Sequence, residues 1–418
     1  MRIEQLETFD LRFSLPPGAG SDALHTNPEY SLATCMLVAD NGELGTGFSL
    51  TLGAGNELVC RAADLYRRYF ISADPEDLVA DLGANWHKWA NDGQLRWLGP
   101  QKGVVHLALA ALVSALLDLW SRVKGVPLWK ALLDLTPEQL VTLVDFTSIE
   151  NYIRADEALE LLETRRLPTE AVEALVHEGY PAYDTSVGWL GYPLGLLLEK
   201  VGECRERGYS AVKIKVGSRE LMEDVERLAA VRAVLGDDFL MMIDANQRWT
   251  PHEAVAAGRL FAEYGPFWFE EPVHPDDLSG YVEVGKALAP MQIAGGEHIP
   301  NQVVFKNFFE ARALQVAQPD VVRLGGLPEY LAVALMAAKS GIPVIPHVGD
   351  MAQIHQHLAV VGRVTLGLPE LPLEMIPHLS EHFVEPCTLA RGRYVLPSTP
   401  GSSTRIQPRS IRRFAVGT

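Results

Sequence analysis

Residues 211–217 read AVKIKVG, residues 239–246 FLMMIDAN, residues 267–272 FWFEEP and residues 292–298 QIAGGEH. Each is a short apolar run that closes on a charged side chain: Lys215, Asp244, Glu270 and Glu297. The same reading continues through ALQVAQPD, PVIPHVG and LPLEMIPH, which place Asp320, His347 and Glu374. The gaps between these seven residues are 29, 26, 27, 23, 27 and 27, the length of one strand plus one helical crossover. With AYDTSVG preceding them at 182–188, eight strands alternate with helix-like stretches such as 221–236 and 328–341. Runs this apolar suit strands buried on both faces, and eight of them fit a closed parallel barrel better than an open doubly wound sheet. A polar group at each C-terminal strand end collects all seven on one rim, the face where barrel active sites lie.

Working outward, the first third reads as α+β. Strand-like patterns cover 1–12 and 31–52, with Asp40, Asn41 and Gly42 as a hairpin turn. Helical patterns cover 57–69 and 104–123. The segment from Pro16 to Pro28 is too long for a tight turn and reads as a mobile loop or a lid. The fold class is therefore α/β: a TIM-type (β/α)7β barrel over 141–385, with an α+β capping domain over 1–140. Residues 386–418 are expected to pack on the cap.

Composition narrows the function classes. The 418 residues are 48% hydrophobic and 21% charged, as in a folded globular chain. No run is expected to supply the roughly 20 apolar residues of a membrane span, and acids near the start argue against a signal peptide. Cys35, Cys60, Cys204 and Cys387 are scattered with no CxxC pair, which fits a reducing compartment and a cytoplasmic location. A net charge of −17 disfavours nucleic acid as a partner, while a local cationic site still suits a small anionic substrate.

The strand ends carry the chemistry. Asp244, Glu270 and Glu297 come from three successive strands, and converging carboxylates repel unless a cation neutralises them. An all-oxygen set suits a hard ion such as Mg2+ better than zinc. Lys213 and Lys215 lie two apart on one strand and share a face. Their mutual repulsion and burial would lower a lysine pKa toward that of a base near neutrality. Asp320, at the end of one strand, is placed to fix the tautomer of His347 on the next. A lysine base, a histidine and a metal together suggest removal of a proton α to a carboxylate. A Lys or His base working beside Mg2+, with the ion stabilising an ene-diolate, is a known pattern for that chemistry.

The motifs Lys213-Ile214-Lys215, Asp244-Ala245-Asn246, Glu270-Glu271-Pro272, Gly296-Glu297-His298 and the Asp320/His347 pair resemble the enolase superfamily, mandelate racemase subgroup. The resemblance implies that Lys215 is the base and that Glu270, not Glu271, is the metal ligand. Spacing alone does not choose between those adjacent acids, which alternate faces along a strand. Segments SDALHTNPEYS, TLGAGNE, QLRWLGPQKGVVHLA, GVPLWKALLDLTPEQL, YPAYDTSVGWLGY and LSEHFVEP are similar to L-fuconate dehydratases. That likeness implies loss of water from a 2,3-dihydroxy acid: Lys215 takes the C2 proton, His347 supported by Asp320 protonates the leaving C3 hydroxyl, and Glu374 bonds the substrate. It also implies a cap that closes over the barrel mouth and a homo-oligomer.

Residues 348–353 (VGDMAQ) and 366–373 (LGLPELPL) depart from that pattern near strands seven and eight. Asp350 is expected there to meet the substrate, either repelling a sugar acid or binding one of its hydroxyls. Asn246, His298 and Trp189 complete the expected substrate contacts, and Trp97 is a further aromatic candidate for the pocket. The alternatives are a racemase or epimerase with the same Lys and His, and a catalytically retired barrel with a binding role.

Overall fold

The structure is a computed structural model that describes residues 1–417. Three antiparallel strands open the chain: β1 (Ile3–Ser14), β2 (Glu29–Ala39) and β3 (Leu44–Thr51). The β2–β3 turn is where the sequence places it, with Gly42 at φ 82 and its N–H donating to Ala39 O at 2.9 Å. The helix Gly103–Val123 lies across β3. Gly45 and Gly47 make this possible, because a Cβ on either would stand 2.3 Å from a carbonyl oxygen of that helix.

The helix corrects one sequence expectation. It is long and apolar enough, by length and composition, to cross a membrane, yet 83% of its apolar window is buried inside the fold. Its Asp118 accepts from Thr46 N at 3.0 Å, Ser402 N at 2.7 Å and Arg122 Nε at 2.9 Å. Those bonds tie the helix to β3 and to the tail, as befits a core helix.

Seven parallel strands follow: β4 (Tyr180–Asp184), β5 (Ala211–Lys215), β6 (Leu240–Asp244), β7 (Trp268–Glu270), β8 (Gln292–Gly295), β9 (Val316–Ala317) and β10 (Leu373–Met375). Their hydrogen-bonded order is β10-β4-β5-β6-β7-β8-β9. The run 343–349, read from sequence as a strand, is only a parallel bridge between Val344 and Ala317. Pro343 and Pro346 explain the difference: each lacks the N–H that a ladder needs. Backbone bonds nonetheless continue from Ile345 N to Ala317 O at 3.1 Å and from Gly349 N to Glu374 O at 2.7 Å, joining this segment to β9 and β10.

The tail divides where the sequence reading keeps it whole. The strands β11 (Leu389–Ala390) and β12 (Arg393–Tyr394) form a hairpin, and β12 pairs antiparallel with β4 of the parallel sheet. Further on, Gly401 bridges Pro127 and Ala415 bridges Leu11, on the N-terminal layer. The four cysteines are free, three buried and Cys387 half-buried.

Candidate active site

Register alone brings the first site residues together. Lys215 pairs with Asp244 across β5 and β6, and Asp244 with Glu270 across β6 and β7. Lys213 and Lys215 point to one face and are both buried. The Lys213 ammonium lies 2.6 Å from Glu270 Oε1, 2.8 Å from Glu374 Oε1 and 3.4 Å from Asp244 Oδ2. Lys215 donates to Asp244 Oδ2 at 2.6 Å and to Asn246 Oδ1 at 2.9 Å, and its ammonium stands 5.7 Å from the centre of the Trp189 ring.

This geometry overturns the expected sign of the lysine shift. Burial works against charge on Lys215, and Lys213 repels it, but the carboxylates around it, Asp244 foremost with Asp22 and Glu297, together raise its pKa. Lys213 is likewise held well above the ordinary range: burial opposes its charge, and Glu270 and Glu374 overcome that. Glu270 shows the other side of the balance. Burial, with Asp244 and Glu374 adding repulsion, pushes it up to about 8 despite Lys213.

His347 is the second centre. Its Nδ1 is 2.9 Å from Asp320 Oδ2, as expected, while Nε2 lies 3.0 Å from Glu297 Oε2 and 3.5 Å from Glu374 Oε2. Burial opposes the imidazolium, but Glu297 and the Asp320 bond raise it to about 10. The ring thus holds a proton at neutral pH that it can donate. Glu297 stays ionised because His347, His298 and Arg323 offset its burial.

Sequence reasoning misses two members of the site. Strand alternation puts Glu271 on the face opposite Glu270, yet it is buried and takes part. Its φ of 40 breaks the alternation after β7. Its carboxylate thereby lies 2.9 Å from His298 Nδ1 and accepts from Gln247 at 2.8 Å. Asn246, Gln247 and Val348 share such positive φ values, so strained backbone recurs at these strand ends. Arg323, three residues past Asp320, approaches Glu297 Oε1 at 3.4 Å and Asp320 Oδ2 at 3.6 Å. The i, i+3 spacing from Asp320 is the signal that could have found it.

Two expected contacts fail. Asp350 is buried, with Oδ1 accepting from Ile376 N at 2.8 Å, and it does not reach the cavity that Met351 and Ile376 line. Trp97 is 99% exposed and also lies outside the cavity. Trp189, Asn246, His298, Lys215, Glu297, His347 and Glu374 do line it. The 16–28 segment contributes Gly20, Asp22, Leu24, His25 and Pro28 to its roof. That segment is docked rather than free, since Ser21 accepts from Leu190 N at 3.1 Å and from Gly191 N at 2.9 Å. Leu50, Leu52, Glu297, His298 and Arg323 also line a neighbouring cavity of about 290 Å³.

The donor chemistry suits a hard divalent cation. Six carboxylates (Asp244, Glu270, Glu271, Glu297, Asp320 and Glu374) face three permanent cations (Lys213, Lys215 and Arg323) in one largely buried cluster. Among the described residues, the ligand atoms already within 4.8 Å of one another are those of Glu271, Glu297 and His298. Asp244 and Glu270 instead bond to the two lysines, because unneutralised carboxylates take the nearest ammonium groups.

Known proteins share this fold. Residues 197–410 match the family model described as enolase C-terminal domain-like. The crystal structure of human Mitochondrial enolase superfamily member 1 superposes with a TM-score of 0.94 at 38% identity, covering 99% of this chain and 96% of that one. The L-galactonate dehydratase of Hypocrea jecorina is 38% identical over 94% of this chain and 89% of its own length. The L-talarate/galactarate dehydratase of Salmonella typhimurium LT2, solved with Mg and L-lyxarohydroxamate, gives a TM-score of 0.80 at 26% identity, covering 99% of this chain and 93% of that one. With its strand-end lysines, carboxylates and Asp–His pair laid out on this framework, the chain belongs to the enolase superfamily.

Proposed function

We propose that this protein is a Mg2+-dependent acid-sugar dehydratase, built on a (β/α)7β barrel, that acts on an aldonic acid of the L-fuconate type. The observation that carries the reading is that Lys215 and His347, the latter bonded to Asp320 at 2.9 Å, line one cavity. Asp244, Glu270 and Glu297 would hold the cation, which supplies positive charge to the substrate carboxylate and so makes its α-hydrogen acidic. Lys215, once released from Asp244 and having given one ammonium proton to solvent, takes the C2 proton as the neutral amine, and the electron pair moves into the carboxylate. The C3–O bond then breaks as that pair returns to form the C2–C3 double bond. His347 gives its proton to the departing hydroxyl, which leaves as water, and the enol tautomerises to a 2-keto-3-deoxy acid. Glu374, bound to Lys213 and close to His347 Nε2, orients both donors.

The cavity lining supports a single-carboxylate substrate. Its lysine and arginine, Lys215 and Arg323, are already paired to acids, and its His25 is paired to Asp22 at 3.0 Å. The remaining wall includes Leu24, Leu52, Met351, Ile376 and the rings of Tyr30 and Trp189, which suits a hydroxylated chain with an uncharged end. A diacid would bring a second carboxylate to a wall whose lysine is spent as the base, whose Arg323 stays beside Asp320 at 3.6 Å and whose His25 stays on Asp22, at the cost of its desolvation.

Turnover of stereochemically defined aldonic and aldaric acids, read as formation of a 2-keto-3-deoxy product, tests the reading. Activity on six-carbon aldonates with L-fuconate configuration is expected. Recovery of only an inverted α-hydroxy acid would make the protein a racemase or epimerase, and preference for aldarates would overturn the assigned substrate class.

A further inference from the structure

We propose that His355 is a positioning residue for the elimination step: it ties together the two backbone segments that carry the Asp320–His347 dyad. This rests on the dehydratase reading above. The segment that carries His347 lies between β9 and β10 but, broken by Pro343 and Pro346, forms only one bridge. Its backbone is held by separate bonds, from Ala317 N to Pro343 O at 2.9 Å, Ile345 N to Ala317 O at 3.1 Å and His347 N to Pro319 O at 3.2 Å, and a histidine that is to donate a proton gains from a further tie that fixes its segment against Asp320.

The support comes from the helix Ile354–Leu366 that follows. The His355 ring is fully buried, and its Nδ1 lies 2.8 Å from Val348 O, the carbonyl next to His347. A carbonyl only accepts, so Nδ1 carries the hydrogen and Nε2 is left with its lone pair. Nε2 accepts from Val321 N at 2.9 Å, the amide next to Asp320. One imidazole therefore bridges the residue after Asp320 and the residue after His347. Its Nε2 also lies 3.3 Å from Asp320 Oδ1, the oxygen not used by His347 and fixed by Val322 N at 2.9 Å.

The conformation of Val348 shows what the bridge holds. At φ 42 a β-branched residue sits in the left-handed region, which sterics disfavour and surrounding structure must impose. Gln356 adds a second anchor, donating to Gly349 O at 2.6 Å, while Gly349 N donates to Glu374 O. His355 touches neither the cavity nor any of the carboxylates assigned to the metal.

The test compares His355→Phe, which keeps the ring's bulk, and His355→Asn, which keeps a donor toward Val348 O, with the Mg2+-loaded wild type and L-fuconate in D2O. Deuterium entering C2 of unreacted acid reports Lys215, and 2-keto-3-deoxy product reports His347. In His355→Phe the ratio of exchange to elimination should rise on the order of 10-fold or more, as for loss of a partner that orients a functional histidine, with partial recovery in His355→Asn. Exchange and elimination falling in equal proportion, or neither falling, would overturn the role. Crystal structures of the wild type and His355→Phe give a readout independent of turnover. Val348 should leave the left-handed region and the His347–Asp320 bond should break; an unmoved dyad would refute the inference. A wild type that neither exchanges nor eliminates with any sugar acid would instead remove the dehydratase reading, leaving the crystal structures to decide His355.

Discussion

Replacing Asp350 by Asn should make the protein more stable at pH 8 and less stable at pH 4. The carboxyl is 1% exposed, its Oδ1 is satisfied by Ile376 N, and its Oδ2 has no partner. Burial pushes its pKa up to about 7, with the Glu374 charge adding to the rise. Between the unfolded value near 4 and that raised value, the unfolded chain has released a proton that the folded chain still holds. Stability therefore falls as pH rises through this window and levels off above it. At about 1.4 kcal/mol per pKa unit the full loss is roughly 4 kcal/mol.

Asn removes that loss and keeps the acceptor for Ile376, but it buries a second N–H donor in place of one O–H, at about 1 kcal/mol. The net gain at pH 8 is then about 3 kcal/mol. With an unfolding entropy of about 2 cal/mol/K per residue, a chain of this length gains roughly 3 °C in Tm. At pH 4, where the folded carboxyl is protonated and the unfolded one about half so, only about 0.4 kcal/mol of that loss has developed, so the donor cost prevails and the sign reverses by under about 1 °C. Thermal unfolding of both proteins from pH 4 to pH 8 reads this out, and the carboxylates they share cancel in the difference. A Tm difference independent of pH would refute the claim that Asp350 is held neutral by burial.

Three further outcomes follow from named contacts. Lys215→Ala should lower C2–H exchange by about 10²–10⁴-fold, the usual contribution of a general base, while Mg2+ binding by calorimetry stays near the wild-type value; near-normal exchange would show that Lys215 is not the base. Asp244→Asn should weaken Mg2+ binding by more than the roughly 10–100-fold typical of losing an outer partner, and activity should return partly at high Mg2+; unchanged Mg2+ affinity would remove Asp244 from the ligand set. Asp118→Ala should cost about 3–5 kcal/mol, because it takes from Arg122 its 2.9 Å partner, leaving Glu385 at 3.9 Å, and frees the buried N–H groups of Thr46 and Ser402. In that variant a much smaller loss in denaturant titration would show that this hub does not hold the tail to the N-terminal sheet.

The site is legible where chemistry follows the strand period and hidden where the backbone departs from it. Near-equal spacing from Lys215 to Glu374 predicts a shared face, and the structure brings those seven residues together. Alternation fails at Glu271, whose left-handed φ turns it back into the cluster, a torsion that no side-chain pattern announces. The two prolines around Val344 stand in plain view, but their effect depends on which N–H groups the neighbouring strands demand. Asp350 reads as a substrate contact because acids are seldom buried without a partner; here one oxygen is spent on Ile376 N and the other is shut in. The sign of the lysine shift is hidden for a similar reason. Sequence shows that Lys213 and Lys215 are neighbours, not that Asp244 lies 2.6 Å from the second. For the helix Gly103–Val123, one buried aspartate in an apolar run separates a core helix from a candidate span only once its partners are known.

Proton NMR of L-fuconate in D2O, with the wild-type protein and with or without Mg2+, follows the C2–H signal on which the dehydratase reading depends. That signal should disappear only when Mg2+ is present, and signals of a 2-keto-3-deoxy acid should replace it. A C2–H signal that persists unchanged with Mg2+, for L-fuconate and every other sugar acid offered, would contradict the reading.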